Sequence, residues 1–253
     1  MNLKRIGLFL NGEFQTCDFE LEIINPSATP VEVPRDDTLL PTDINQSKTK
    51  ILRPTHLSKQ NNKNEVEFYL ADGGLNYFMD HQFFSSSFHW VGDADSLNEI
   101  NSHFIEENCE NKNKITRLNT NKDFSDLACI LDIILEKKIT EPIFIEIYGG
   151  LGKRRDHEIA NIMEIKNFLS AHPKGGVAYF HGGVVLTTLP IHFLKTPSKG
   201  FSILDSQGMI EIKGARYSGS FLLNRPSYGL SNEIVNSSFS VSPQAGVMTL
   251  YFY

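Results

Sequence analysis

The 253-residue chain carries 24 basic and 30 acidic residues, a formal net charge of -6, and 40% hydrophobic residues. A chain of this kind buries a sizeable core, in one large or two modest domains, and is not a disordered protein. With no basic excess to displace counterions from a phosphate backbone, wholesale nucleic-acid binding is excluded, while a local anion pocket stays open. Cys17, Cys109 and Cys129 are odd in number, widely spaced and free of any C-x-x-C pattern. A reducing, cytoplasmic setting is therefore expected, with neither a disulfide framework nor a zinc knuckle. No apolar run approaches the length needed to span a bilayer.

Residues 6–10 (Ile-Gly-Leu-Phe-Leu) run into Asn11-Gly12, a pattern that predicts a short buried strand and a turn rather than a signal peptide. From residue 25 to 64 the character changes. Pro26, Pro30, Pro34, Pro41 and Pro54 punctuate a stretch rich in Asn, Thr, Ser and Lys, with little apolar periodicity. The expectation is a mobile insertion, with an ordered lid as the other reading. Limited proteolysis should then cut first within residues 25–64; resistance to protease with slow amide exchange would show an ordered element instead.

Residues 66–70 predict the next strand, followed directly by Ala71-Asp72-Gly73-Gly74. Glycines after a strand allow a ligand to approach the backbone, and Asp72 is placed to accept hydrogen bonds; a plain tight turn explains the same residues. Residues 88–91 form another strand. Gly92 lets the chain turn, and Asp93 and Asp95 then project two carboxylates separated by Ala94. Two carboxylates at a strand's C-terminal end suit a hard cation such as Mg²⁺ carried on substrate phosphates. The competing structural reading is that Asp95 and Ser96 begin a helix, because Ser96 and Glu99 make a capping-box pattern. A helix to about residue 108 and a strand near 114–118 follow.

Leu127, Ile130, Leu131, Ile134 and Leu135 recur with helical spacing, marking the clearest helix of the chain. Asp123 is its expected cap and Asp126 a first-turn acid favoured by the helix dipole. Residues 142–148 predict a strand, and Gly149-Gly150-Leu151-Gly152-Lys153-Arg154-Arg155-Asp156-His157 leads into a helix expected to carry Ile159, Ile162, Met163 and Leu169 on its apolar face. Exposed amides, fixed positive charge and a helix N-terminus are what an anionic phosphate needs. The loop is neither a Walker A motif nor a dinucleotide fingerprint, and a solvated basic loop is the bland alternative. After Gly175-Gly176 only short strands are predicted, over residues 177–180, 184–188, 201–204, 209–213, 219–223, 239–241 and 247–253, with the turn spacing of a small antiparallel sandwich. The expected organisation is a mostly parallel α/β domain over residues 1–175, including the insertion, and a β-sandwich over 176–253; the boundary falls near 173–176 or a little later, near 190–199.

Four motifs, Ala-Asp-Gly-Gly at 71–74, Gly-Asp-Ala-Asp-Ser-Leu at 92–97, Lys-Asp-Phe-Ser-Asp-Leu at 122–127 and the glycine-rich loop at 149–157, fall in the order found in the thiamin pyrophosphokinase family. The chain resembles that family from Leu8-Phe-Leu-Asn11 to Leu230-Ser-Asn-Glu233. The resemblance implies an α/β ATP-binding domain, a thiamine-binding β domain, a homodimer, and conversion of thiamine and ATP to thiamine diphosphate and AMP. By position it implies a catalytic set of Asp93, Asp95, Asp126, Arg154 and Asp156, with Mg²⁺ on Asp93 and Asp95. It further implies substrate contacts from Asp72, Gly73, Gly74, Gly149, Gly150, Gly152 and His157, with Ser231 and Asn232 on the thiamine side. Three positions depart from the family pattern: Ser125 stands for the usual threonine, Lys153 and Arg155 make the loop more cationic, and the stretch between Asn11 and Ala71 is longer.

The chemistry fits these residues. Attack of an alcohol on the β-phosphorus of ATP asks the protein chiefly for positioning and charge neutralisation. Asp126 or Asp156 would orient or deprotonate the thiamine hydroxyl, and Tyr228 could stack on the thiamine cation. Two other functions remain in view. A pyrophosphokinase for another alcohol, such as a pterin, would alter the Ser-Asn region, and a non-catalytic thiamine or nucleotide sensor would be expected to have lost an acid.

Overall fold

The computed structural model describes residues 2–15, 17–24, 51–52, 66–80, 87–108 and 115–253. The expected insertion at 25–64 lies outside these residues apart from Ile51 and Leu52. Fourteen strands and four α-helices are described, and all the strands belong to one mixed sheet. Six of them form a parallel half in the order β8 (Gly176–Phe180), β7 (Ile143–Tyr148), β1 (Lys4–Phe9), β4 (Val66–Ala71), β5 (Phe88–Gly92) and β6 (Ile115–Arg117). After β1 the chain builds outward through β4, β5 and β6. It then returns to the other side of β1 with β7 and β8, so the direction of winding reverses at the middle of the sheet.

The central strands β7 and β8 are buried on both faces, which explains why they read as largely apolar runs rather than strict alternations, while the edge strand β6 is only partly covered. On one face Ile6, Leu8, Tyr69, Ala71, Val91, Ile143, Ile145 and Ile147 pack against α3 (Asp126–Glu136) and α4 (Arg155–Ala171). On the other, Phe9, Phe68, Leu70, Trp90 and Tyr148 meet Leu75 and Phe78 of α1 (Gly74–Asp80) and Ile105 of α2 (Glu99–Asn108). Period-two alternation therefore sends each strand's neighbours to opposite cores. The short α1, directly after Gly73, is an element that periodicity did not single out.

The apolar face expected for α4 is displaced. Its buried residues are Ile165, Phe168 and Leu169, with Ile162 partly covered, whereas Ile159 and Met163 are exposed. The buried side chains of α4 thus gather in its C-terminal half.

The antiparallel half is built on two long strands. Residues 201–204 and 209–213 belong to one strand, β11 (Gly200–Lys213), and 239–241 and 247–253 to another, β14 (Phe239–Phe252). Their pairing is interrupted by register shifts between Ile203 and Ile210, near Gly208 and Gly246, which both have positive φ. Glycine takes that conformation freely, so each long strand bends where the sequence suggested a turn. β9 (Val184–Thr187) and β10 (Ile191–Lys195) pair with opposite ends of β14. A third core, rich in phenylalanine, lies between, with Phe193 stacked on Phe239 at 4.8 Å and edge-on to Phe252 at 5.3 Å. Strands β12 (Gly219–Leu222) and β13 (Asn232–Glu233) complete the edge beside β11.

Two features cut across a division by sequence position. β8 joins the parallel half, and β2 (Glu20–Ile23), paired to β3 (Ile51–Leu52), hydrogen-bonds to β10 in the antiparallel half. The alternative boundary at 190–199 is occupied by β10 itself. Among the described residues no helix is long and apolar enough to cross a membrane.

Candidate active site

The loops that follow β1, β4, β5 and β7 meet at the C-terminal edge of the parallel half, where the winding reverses. In open α/β sheets this is where ligands bind. They enclose a cavity of about 450 Å³ lined by Asn11, Gly12, Asp72, Asp93, Asp95, Ser96, Lys122, Ser125, Asp126, Gly149, Gly150, Gly152, Lys153, Arg154, His157 and Asn161, among others.

Its acidic side is organised by Asp72, which is 5% exposed and has φ +39, a conformation aspartate tolerates better than most residues. One carboxylate oxygen of Asp72 accepts from the amide of Ala94 at 2.9 Å and the other from that of Ser96 at 3.1 Å. The indole of Trp90 donates to the Asp72 carbonyl at 3.0 Å. Asp72 thus holds the 93–96 loop in shape. Ala94 lies at φ +74, a left-handed conformation that costs an L-residue about 1–2 kcal/mol and that the Asp72 contacts sustain. The result is that Asp72, Asp93 and Asp95 each bring a carboxylate oxygen within 4.8 Å of the others. Three hard oxygen donors this close could hold a divalent cation.

Gly92 is needed for that arrangement. A Cβ at this position would lie 2.8 Å from the Cα, Cβ and one carboxylate oxygen of Asp72. Gly92→Ala is expected to displace Asp72, lowering stability by about 1–3 kcal/mol and weakening cation binding. Thermal unfolding and Mn²⁺ titration check this. Unchanged values for both would mean that the loop is not held by the Asp72 contacts.

Asp93 and Asp126 are joined by Lys122, whose ammonium lies 3.1 Å from a carboxylate oxygen of each. The three side chains are 9–21% exposed. Burial works against the charge on Asp93, but the Lys122 ammonium outweighs it and holds the carboxyl below the usual range. Burial raises the Asp126 and Asp72 carboxyls above theirs, in spite of the Lys122 ammonium beside Asp126 and the two amides bonded to Asp72.

Two local readings are corrected here. The cap of α3 is Ser125, whose hydroxyl accepts from the Ala128 amide at 3.1 Å, rather than Asp123. Asp126 is then the first helical residue, favoured by the dipole. Ser96 does not open α2 either. The helix begins at Glu99 with Asn98 accepting from the Asn101 amide at 2.8 Å, while the Ser96 amide is spent on Asp72. The capping-box pattern has the right spacing and no helix at that point, which leaves Asp95 and Ser96 in the loop.

On the opposite side the glycine loop folds against residues 11–13. The amide of Gly12 donates to the Gly149 carbonyl at 2.7 Å and that of Glu13 to the Leu151 carbonyl at 3.0 Å. Gly149 has φ +64 and a Cβ there would meet the Leu10 carbonyl oxygen at 2.4 Å, so no other residue fits. Lys153, also at positive φ, donates its ammonium to the Asn11 carbonyl at 3.1 Å. α4 begins without a side-chain hydrogen bond from its cap residue, Arg154, and the Asp156 carboxylate accepts from first-turn amides instead. Arg154 and Asp156 make a bidentate, exposed pair at 3.2 and 2.5 Å, which holds the Asp156 carboxyl down at about 2.

The backbone at Cys17 is held by a buried cluster. Glu146 accepts from the Tyr148 hydroxyl at 2.6 Å and lies 2.9 Å from His181 Nε2, while the Cys17 amide donates to His181 Nδ1 at 3.2 Å. That amide fixes Nε2 as the protonated nitrogen, so His181 donates to Glu146.

Of the residues singled out from sequence, Asp72, Asp93, Asp95, Asp126, Arg154, His157 and the three loop glycines line the one cavity. Asp156 stands outside its lining, as do Gly73 and Gly74, which carry the turn into α1. Asn232 lines a different cavity of about 230 Å³, with Tyr217, Phe221, Leu222, Tyr228 and Leu230, and the two cavities share no residue. The Asn232 amide is engaged with the backbone of Tyr217, accepting at 3.0 Å and donating at 3.0 Å, so it shapes this second cavity. Ser231 is exposed, at φ +58. Lys122, Asn11 and Asn161 were not identified as site residues. A lysine four residues before a helical acid is a common ion-pair spacing, and nothing in the sequence tells that Asp93 completes it.

Residues 59–174 match the family model of the thiamin pyrophosphokinase catalytic domain. A thiamine pyrophosphokinase structure from Bacillus subtilis superposes with a TM-score of 0.61 at 17% identity, covering 98% of this chain and 97% of that one. Thiamin pyrophosphokinase from Geobacillus thermodenitrificans gives 0.58 at 17% identity, over 97% and 95% of the two chains. That from Candida albicans gives 0.59 at 15% identity, over 97% and 88%. At these identities the likeness is one of fold. No curated protein matches the sequence.

Proposed function

We propose that the chain, whose residues 59–174 match the thiamin pyrophosphokinase catalytic-domain model, transfers the pyrophosphoryl group of ATP to the hydroxyl of thiamine, releasing AMP. The observation that carries the reading is the meeting of three carboxylates, a half-buried lysine and a glycine loop around one cavity at the C-terminal edge of the parallel strands.

Asp93 and Asp95, with Asp72 beside them, would hold Mg²⁺, which when bound neutralises charge on the polyphosphate. The amides of the glycine loop receive phosphate oxygens. Arg154 is exposed and exchanges its Asp156 partner for phosphate at little cost. Asp126 faces the same cavity and Asp156 does not, so Asp126 is the acid that orients the acceptor hydroxyl and takes its proton as the oxygen attacks the β-phosphorus. Thiamine is a cation and would be drawn to an acidic cleft, with its ring against the aromatic cavity near Tyr228. A homodimer would supply that second cavity from the partner subunit, and the free Cys17 and Cys129 suit a cytoplasmic enzyme.

Incubation of the purified protein with ATP, Mg²⁺ and thiamine should yield AMP and thiamine diphosphate in equal amounts. AMP formed only when another alcohol is supplied would overturn the acceptor, and no AMP with any alcohol would overturn the reaction.

A further inference from the structure

The Lys122 ammonium has no role in the mechanism above, although it is the best-buried cation of the cavity. Its side chain is 13% exposed and lies 3.1 Å from both Asp93 and Asp126. Burying an ammonium against two carboxylates is favourable only while those carboxylates stay charged and close, and burial by itself lowers its affinity for the proton; the two acids outweigh that, and Lys122 holds its proton more tightly than a free lysine. Asp93 is at the same time one of the three oxygen donors that lie within 4.8 Å of one another. One carboxylate therefore serves two cations.

We propose that Lys122 is an internal counter-ion that competes with the divalent cation for Asp93 and gives its charge to polyphosphate when substrate enters. The inference rests on the reading of Asp72, Asp93 and Asp95 as a cation site. Without ligand, the ammonium is shared between Asp93 and Asp126 and offsets part of their charge, so a cation arriving alone meets a like charge beside its donors. A polyphosphate in the cavity offers Lys122 another set of oxygens, and its withdrawal from Asp93 frees that carboxylate. Cation and polyphosphate then favour each other's binding through this side chain, and Lys122 is a positioning residue whose contribution is electrostatic.

The two halves of the claim have opposite signs, which a merely structural residue would not produce. In Lys122→Met, Mn²⁺ titrated alone into the protein should bind about tenfold more tightly, because the competing charge is gone. Inorganic tripolyphosphate titrated with chelator and no metal should bind about tenfold more weakly. Lys122→Arg keeps the charge and should resemble the wild type in both titrations, and thermal unfolding of each variant shows that the fold is retained. If Lys122→Met leaves Mn²⁺ affinity unchanged while the wild type binds Mn²⁺ and Asp93→Asn does not, the cation site stands and the competition is refuted. If Mn²⁺ binds equally to wild type, Asp93→Asn and Lys122→Met, the cation site itself is wrong and the inference falls with it. Loss of affinity in both titrations for Lys122→Met would mark Lys122 as structural and overturn the proposal.

Discussion

Asp93→Asn and Asp95→Asn are each expected to cut turnover by about a hundredfold or more, the scale on which deleting one electrostatic contact to a transition state acts. Asparagine keeps the shape of the side chain and removes its charge. At position 93 that charge faces Lys122 as well as the cation site, so Asp93→Asn also leaves the ammonium with Asp126 alone. The side-chain surroundings separate the two variants. Asp95 is exposed, with the Ser96 hydroxyl as its neighbour at 2.9 Å, and its replacement should leave stability unchanged. Asp93→Asn should be measurably less stable, because a partly buried ion pair loses one member. AMP release under saturating ATP and thiamine, read beside thermal unfolding, tests both. Near-normal turnover in two folded variants would remove these aspartates from the mechanism.

The second large effect concerns assembly. Within one chain the acidic cavity and the Asn232 cavity share no lining residue, yet the proposed reaction needs ATP and thiamine in contact. If a two-fold dimer brings the second cavity of one subunit to the first cavity of the other, each active site draws on both chains. Asp93→Ala removes a donor from the first cavity. Asn232→Ala removes the side chain that clamps Tyr217 and so deforms the second. Each variant alone should be inactive. After subunit exchange, a mixed dimer has one site with both lesions and one with neither, so about a quarter of all sites should recover activity at random mixing. Confirmed exchange without any recovery would place both substrates within a single chain and leave a dimer with only a structural part.

Much of this was legible along the chain, for identifiable reasons. Runs such as residues 68–71 and 143–145 are apolar without interruption because their strands are covered on both faces, and helical spacing marked α3 because one of its faces is solvated. The turns after β4, β5 and β7 announced themselves through glycine and aspartate, whose conformational freedom is a local property. Local signals failed where a pattern had a partner that only folding supplies. Ser96 and Glu99 had capping-box spacing, but the Ser96 amide went to Asp72, 24 residues earlier. Residues 201–204 and 209–213 read as two strands because a bend at positive-φ glycine looks in sequence like a turn.

By itself, the sequence determined which residue types stand at the ends of the parallel strands: small residues where the backbone must turn sharply, carboxylates and cations beside them. Only the tertiary structure decided which of them face one another. The order of strands around β1 brings Asp72, Asp93, Lys122 and Asp126 to the glycine loop, leaves Asp156 outside, and sends Asn232 to another cavity. Turn chemistry is a matter of φ and side-chain size within a few residues, whereas the pairing of charges depends on strand order and the winding of the sheet, which no short stretch encodes.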